Sequence, residues 1–192
     1  MRDDLDDLLA SREGHYVFES GLHGRLWLDL EQLFSQPGRV APLAAQLAAR
    51  LDNERVDVVC GPLVGGALLA QMVALTAELR LVYSERREWT PGVAWSARYE
   101  LPRPVQHLVR GQRVAVVDDA VNAGSAMLAT VAAVRRAGGK VVTCGALLRL
   151  GDTVEPYLAE QGLSLQALAV RPNTLWPATE CPLCAHGVPL DS

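Results

Sequence analysis

The chain is nearly without lysine. Of its 18 basic residues one, Lys140, is lysine, which leaves 17 arginines. Any chemistry that needs a lysine amine must therefore use Lys140 or do without. No apolar run is long enough for a membrane span, so no membrane partner is expected. The N-terminus, Met1-Arg-Asp-Asp-Leu-Asp-Asp, lacks the basic and apolar regions of a signal peptide; a cytoplasmic location is expected. There is no excess of positive charge: the net charge is -4, which argues against a nucleic-acid surface. Internal repeats and low-complexity linkers are also missing. Cysteine is sparse, four in 192 residues, and in a cytosolic protein a disulfide is not expected.

What is present is a globular composition. Apolar residues make up 49 % and mean hydropathy is +0.11, enough for one α/β domain with a sizeable core. One domain over 1–192 is expected. Strand and helix patterns alternate along it. A short acidic helix is expected at 3–11, and brief extended pieces at Tyr16–Phe18 and Leu26–Leu28. A helix at 42–51 has Pro42 near its first turn. Strands follow at 56–60, 81–83, 141–148 and 165–170, with helices from Gly66 to Ala77 and from Ser125 to Ala137. Such alternation predicts a mostly parallel sheet flanked by helices on both faces.

Residues 114–127, VAVVDDAVNAGSAM, carry the densest signal. An apolar β-branched run reads as a buried parallel strand. Asp118 and Asp119 stand where that strand should end, and a small-residue loop leads into a helix near Ser125. A loop feeding a helix N-terminus offers backbone N–H groups and a positive dipole end to a phosphate. Carboxylates beside it suit hydroxyls and a divalent cation. A sugar phosphate satisfies both.

The stretch resembles the ribose-phosphate motif of type I phosphoribosyltransferases, and Asp-Asp-Ala-Val-Asn-Ala-Gly-Ser-Ala is most similar to the orotate branch. The resemblance covers most of 14–172. It implies transfer of the 5-phosphoribosyl group of phosphoribosyl diphosphate to a nucleobase, with Mg²⁺ as cofactor, orotidine 5′-phosphate and pyrophosphate as products, and a homodimer. It implies that Asp118 and Asp119 hold ribose hydroxyls and that Ala120, Val121, Asn122, Ala123, Gly124, Ser125 and Ala126 hold the 5′-phosphate, Asn122 also meeting the base. Gly65 and Gly66, in a second strand-to-helix turn at 61–66, would face pyrophosphate, where many orotate enzymes carry a lysine. The segment 85–111 shows no clear periodicity and corresponds to a flexible loop that closes over the site. Arg86 and Arg87 match its basic pair, as catalytic cations, but Thr90 and Gly92 stand where a lysine and a histidine are usual.

A small N-terminal hood follows from the same resemblance. In it Trp27 is either a base contact or core, Leu28 replaces a second aromatic, and Glu19 falls where a lysine is usual, with Arg25 close by. Arg149, after the strand at 141–148, corresponds to the arginine that meets the orotate carboxylate. Two alternatives stay open: a purine-type enzyme, or a regulatory protein that binds phosphoribosyl diphosphate without catalysis. In the tail, 173–192, Cys181-Pro-Leu-Cys184 has the spacing of half a zinc site, with His186 two residues on. A structural or silent tail without metal is expected. Cys60 and Cys144 fall in buried strands as small hydrophobes.

Overall fold

A computed structural model describes residues 11–51, 54–90, 93 and 95–191. Strands β1 (Ser11–Val17) and β2 (His23–Leu28) form an antiparallel hairpin, followed by a 3₁₀ turn at Leu30–Ser35. Then come α1 (Pro37–Leu51), β3 (Val58–Pro62), α2 (Gly65–Ala77), β4 (Arg80–Glu88), β5 (Arg98–Glu100) and a 3₁₀ turn at Arg103–Leu108. The second half runs β6 (Arg113–Val121), α3 (Ser125–Arg136), β7 (Lys140–Leu150), α4 (Glu155–Glu160) and β8 (Leu165–Arg171), ending in a 3₁₀ turn at Ala178–Glu180 and a short α5 (Pro182–Ala185).

The main sheet has the order β5-β4-β3-β6-β7-β8, parallel throughout except for the antiparallel β4–β5 pair. The expected α/β architecture is therefore present, with helices on both faces. The middle of its central strands, Val58–Cys60 and Val114–Val117, is apolar at every position because both faces are covered. On β6, Ala115 and Val117 join a core with Leu43 and Leu47 of α1 and Leu69 and Val73 of α2. Val114 and Val116 point the other way, into a core with Met127, Val131 and Val134 of α3. Cys60 and Cys144 are fully buried in this second core, where burial pushes the Cys144 thiol up to about 12.

The chain leaves β3 toward β4 on one side and leaves β6 toward β7 on the other. The crevice between the carboxyl ends of β3 and β6 is thus the switch point of the sheet, the usual place for a ligand in an open α/β fold.

Several expected boundaries shift. The first helix starts at Pro37, so Pro42 lies inside it, where its ring leaves one helical hydrogen bond unmade. The expected helix at 3–11 lies outside the described residues, except that Ser11 opens β1. Segment 85–111 carries more regular structure than its sequence suggests. Strand β4 continues to Glu88 and pairs with β5, Arg86 opposite Tyr99 and Glu88 opposite Arg98. This ribbon sits at the sheet edge, where Arg98 meets Glu88 at 3.5 Å and Arg87 meets Glu100 at 3.8 Å on the exposed side while Tyr99 is buried. A strand with charges at 85 through 88 gives no period-two hydrophobic signal. No helix among the described residues is long and apolar enough to cross a membrane.

Candidate active site

A cleft of about 770 Å³ opens at that switch point, roofed by the β1–β2 hairpin. Asp118 and Asp119 form its floor. Strand β6 does not end at them, as the sequence suggests, but runs on to Val121. Its pairing with β3 stops at Val116, while its pairing with β7 continues through Asp118 and Ala120. Past Val116 the strand has a hydrogen-bonded neighbour on one side only, and Asp118 and Asp119 line the gap left on the other.

The gap is closed by the turn from β3 to α2. A Cβ on Gly66 would lie 2.5 Å from Asp118 Oδ1, and one on Gly65 would fall inside contact distance of the Asp119 carboxylate. The glycine pair and the aspartate pair thus face each other, one glycine to each carboxylate, and only glycine lets them approach so closely. Two motifs some 50 residues apart in sequence meet at one place. Both aspartates are 8 % exposed. Burial, reinforced by the charges of Asp119 and Glu19, raises the Asp118 carboxyl well above its usual range. The Asp119 N–H donates to Asp118 Oδ1 at 3.1 Å and the Ala120 N–H to Asp119 Oδ1 at 2.8 Å.

Of the other expected residues, Ala120, Asn122, Ala126, Gly65, Gly66, Arg86 and Trp27 line the cleft. Trp27 is half-buried, stacked on Phe18 at 6.1 Å and 12°, with Tyr16 tilted at 5.4 Å. It is a wall of the cleft as well as a packed residue. Val121 and Ala123 are buried in the core. Gly124 takes the left-handed φ of +86° that starts α3 at Ser125. Two of the candidates hold buried donors that lack a partner: Asn122 Nδ2 and Arg149 Nε are the unsatisfied buried side-chain atoms among the described residues. A buried donor left open in this way marks a place for an acceptor from outside.

Others fall differently. Arg86 and Arg87 alternate to opposite faces of β4, as neighbours on a strand must. Arg86 lines the cleft and lies 5.0 Å from the Trp89 ring centroid. Arg87 is not on the lining; it pairs with Glu85 at 2.7 Å and with Glu100. Arg149 stands beside Val121 in the β6–β7 register, outside the lining, and pairs with Asp152 at 3.0 Å and with Glu155. Arg25 is exposed and also off the lining. Lys140 opens β7 and so lies at the amino end of the sheet, opposite the cleft. Every cation available to the site is an arginine.

The sequence did not disclose the part played by Glu19. Its carboxylate accepts from Arg86 at 2.8 Å, from the Tyr99 hydroxyl at 3.0 Å and from Ser125 Oγ at 3.2 Å. Its carbonyl accepts from Trp89 Nε1 at 3.1 Å. One side chain thus ties the hood, the β4–β5 ribbon and the start of α3 together. Tyr99, buried, has its hydroxyl pushed upward by burial and by Glu19. Asn173, whose Nδ2 donates to Asn122 Oδ1 at 3.0 Å, carries no signal in the sequence either. No spacing rule points to contacts this far apart in sequence.

Residues 29–162 match the family model of the phosphoribosyl transferase domain. The chain is 32 % identical to an orotate phosphoribosyltransferase of Heliobacterium modesticaldum, over 94 % of this chain and 88 % of that one. It is 29 % identical to that of Caldanaerobacter subterraneus, over 97 % and 91 %. Among solved structures, orotate phosphoribosyltransferase from Aeropyrum pernix superposes with a TM-score of 0.65 at 24 % identity, covering 88 % and 92 % of the two chains. Adenine phosphoribosyltransferase from Thermoanaerobacter pseudethanolicus gives 0.69 at 17 %, covering 89 % and 100 %.

Proposed function

Since this chain belongs to the phosphoribosyl transferase domain family, we propose that it transfers the phosphoribosyl group of phosphoribosyl diphosphate to orotate, giving orotidine 5′-phosphate and pyrophosphate. The observation that carries this is the pair of buried carboxylates set against the Gly65–Gly66 turn, at the start of a helix that can take a phosphate. The likeness to an adenine enzyme in fold means that the fold alone does not choose the base. The choice rests on the orotate relatives and on the open donor of Asn122 in the cleft lining, which suits a base rich in acceptor oxygens.

In this reading the backbone N–H groups of 120–126 and the N-terminal end of α3 receive the 5′-phosphate. Asp118 and Asp119 accept hydrogen bonds from the ribose hydroxyls and stabilise positive charge that develops on the sugar as pyrophosphate leaves and a base nitrogen attacks C1′. The turn into α2 and Arg86 receive the pyrophosphate. Arg87 joins them only if its side chain leaves Glu85 and Glu100. Trp27 and Phe18 hold the base and exclude water from above. The two aspartates form a hard oxygen set with more negative charge than the buried site tolerates, and this fits Mg²⁺. Mg²⁺ near Asp118 and Asp119 would supply positive charge to the leaving pyrophosphate. Trp89, Thr90 and Trp95 at the end of the ribbon belong to the lid, and the working unit is a cytoplasmic homodimer.

A panel assay tests the proposal: phosphoribosyl diphosphate and Mg²⁺ with orotate, uracil, adenine and hypoxanthine, each product identified by mass. Orotidine 5′-phosphate is the expected product. Adenosine or inosine monophosphate instead would move the chain to the purine enzymes. Tight donor binding with no turnover of any base would make it a regulatory binder, a reading favoured by the way Glu19 neutralises Arg86.

A further inference from the structure

The β1–β2 hairpin meets the C-terminal tail through four side chains. His15 lies on β1, His23 opens β2, Cys181 immediately precedes α5 and Cys184 lies within it. Their nearest ligand atoms, one from each residue, all lie within 4.8 Å of one another. His15 Nε2 is 2.9 Å from His23 Nδ1, 3.5 Å from Cys181 Sγ and 3.7 Å from Cys184 Sγ; His23 Nδ1 is 3.4 Å from Cys184 Sγ. A tetrahedral zinc ion with ordinary Zn–N and Zn–S bonds needs edges of roughly 3.4 Å between nitrogens and roughly 3.6 Å between nitrogen and sulfur. Three of the nitrogen–sulfur edges already match, and the imidazoles need to part by only about half an ångström.

Chemistry agrees with geometry. Both histidines and Cys181 are buried, at 1 %, 7 % and 2 % exposure, in a pocket where two cationic imidazoles would repel. His15 Nδ1 donates to the Val188 carbonyl at 2.8 Å, which fixes the proton on that nitrogen and leaves Nε2 as a lone-pair donor aimed at the cluster. A backbone carbonyl on the far nitrogen is the support that ligating histidines usually have. Two thiolates, two neutral imidazoles and a divalent ion sum to zero charge, a combination that can be buried. All four cysteines are free thiols. His186, the expected companion of the cysteine pair, is not part of the cluster: it is exposed and its Nδ1 lies 2.6 Å from the Pro182 carbonyl.

We propose that His15, His23, Cys181 and Cys184 form a closed structural Zn²⁺ site that clamps the N-terminal hairpin to the C-terminal tail. Four protein ligands leave no open position, so the ion holds structure and does no chemistry. Mixed nitrogen and sulfur donors in a four-ligand set favour Zn²⁺ over harder ions. The clamp reinforces contacts already there: His23 and Trp176 exchange backbone hydrogen bonds at 2.8 and 2.9 Å, and Asp191 binds both the N–H and the carbonyl of His15. The clamped hairpin carries Trp27 and leads into Phe18 and Glu19, so the ion sets the roof of the cleft from outside it.

The full chain, purified without chelator or a histidine tag from zinc-supplemented medium, should contain about one zinc per chain by elemental mass spectrometry. Replacing zinc by Co²⁺ should give thiolate-to-cobalt charge transfer and the intense visible bands of a tetrahedral ion. Cys184→Ala and His23→Ala should lose the metal and the bands, whereas His186→Ala should keep both. A wild-type chain that carries no zinc and gives no tetrahedral Co²⁺ spectrum after reduction and reconstitution overturns the proposal. So does zinc retained in full by a Cys181→Ser, Cys184→Ser double variant, or a Cys181–Cys184 disulfide in freshly purified protein. The spectrum of the wild type decides the matter even if a variant does not fold.

Discussion

Glu19 places a carboxylate where an anionic substrate has to arrive. It holds Arg86 and Ser125, the cation and the helix-start hydroxyl that the donor's phosphates would use. Substrate must displace those bonds and overcome the repulsion. Glu19→Gln removes the charge and keeps the shape, so KM for phosphoribosyl diphosphate should fall by roughly twofold to fivefold, the scale of a partly exposed ion pair. A rise in KM would show that the carboxylate helps to hold substrate. Asp118 calls for a different measurement. Its folded-state carboxyl is raised by burial and by Asp119, so the folded protein binds a proton more tightly than the unfolded chain. Stability from this group is present below its unfolded value, about 3.9, and is lost as pH rises through the raised one. Asp118→Asn should therefore raise the Tm of the ligand-free protein at neutral pH, with a gain that shrinks toward pH 4, while transfer activity is lost. A Tm gain that does not change with pH would locate the effect elsewhere.

At the scale of elements, the two strand-to-helix turns explain why glycine appears where it does. A Cβ at Gly61 would run into the backbone of Gly66, whereas one at Gly65 meets only a side-chain carboxylate. Gly61→Ala should thus cost stability, about 1–3 kcal/mol, seen as a Tm lower by several degrees. Gly65→Ala should leave Tm within a degree or two yet weaken donor binding at least roughly tenfold, because Asp119 has to turn away. Equal losses of Tm would refute this division of labour. The elements themselves were unevenly legible. The 114–117 run stands out because burial on both faces leaves a continuous apolar stretch, and the helix from Ser125 because burial on one face leaves a clear period. The β4–β5 ribbon does not, since Glu85 to Glu88 puts charge at four successive positions and the alternation at Ala97, Tyr99 and Leu101 spans a strand of only three residues. The six-residue α4 is too short to show a period, yet its Tyr157 packs on Trp95 of the ribbon tip at 4.9 Å.

For the molecule as a whole, a strand at the centre of the sheet outruns its neighbour and leaves two carboxylates facing a glycine turn, under a roof pinned to the tail. Asp118, Asp119 and the two glycines were legible because each motif is local. The histidine–cysteine cluster was not, because His15 and Cys181 stand 166 residues apart and half a ligand set carries no address for the other half. The hub at Glu19 was hidden for the same reason. The assignment as an orotate phosphoribosyltransferase is tested most directly by pyrophosphate release from phosphoribosyl diphosphate and Mg²⁺, followed with and without orotate, in the wild type and in Asp119→Asn side by side. The expected result is release that depends on orotate, matches orotidine 5′-phosphate mole for mole, and falls by about 100-fold or more in the variant. Release that ignores orotate, or a variant as fast as the wild type, would contradict the account.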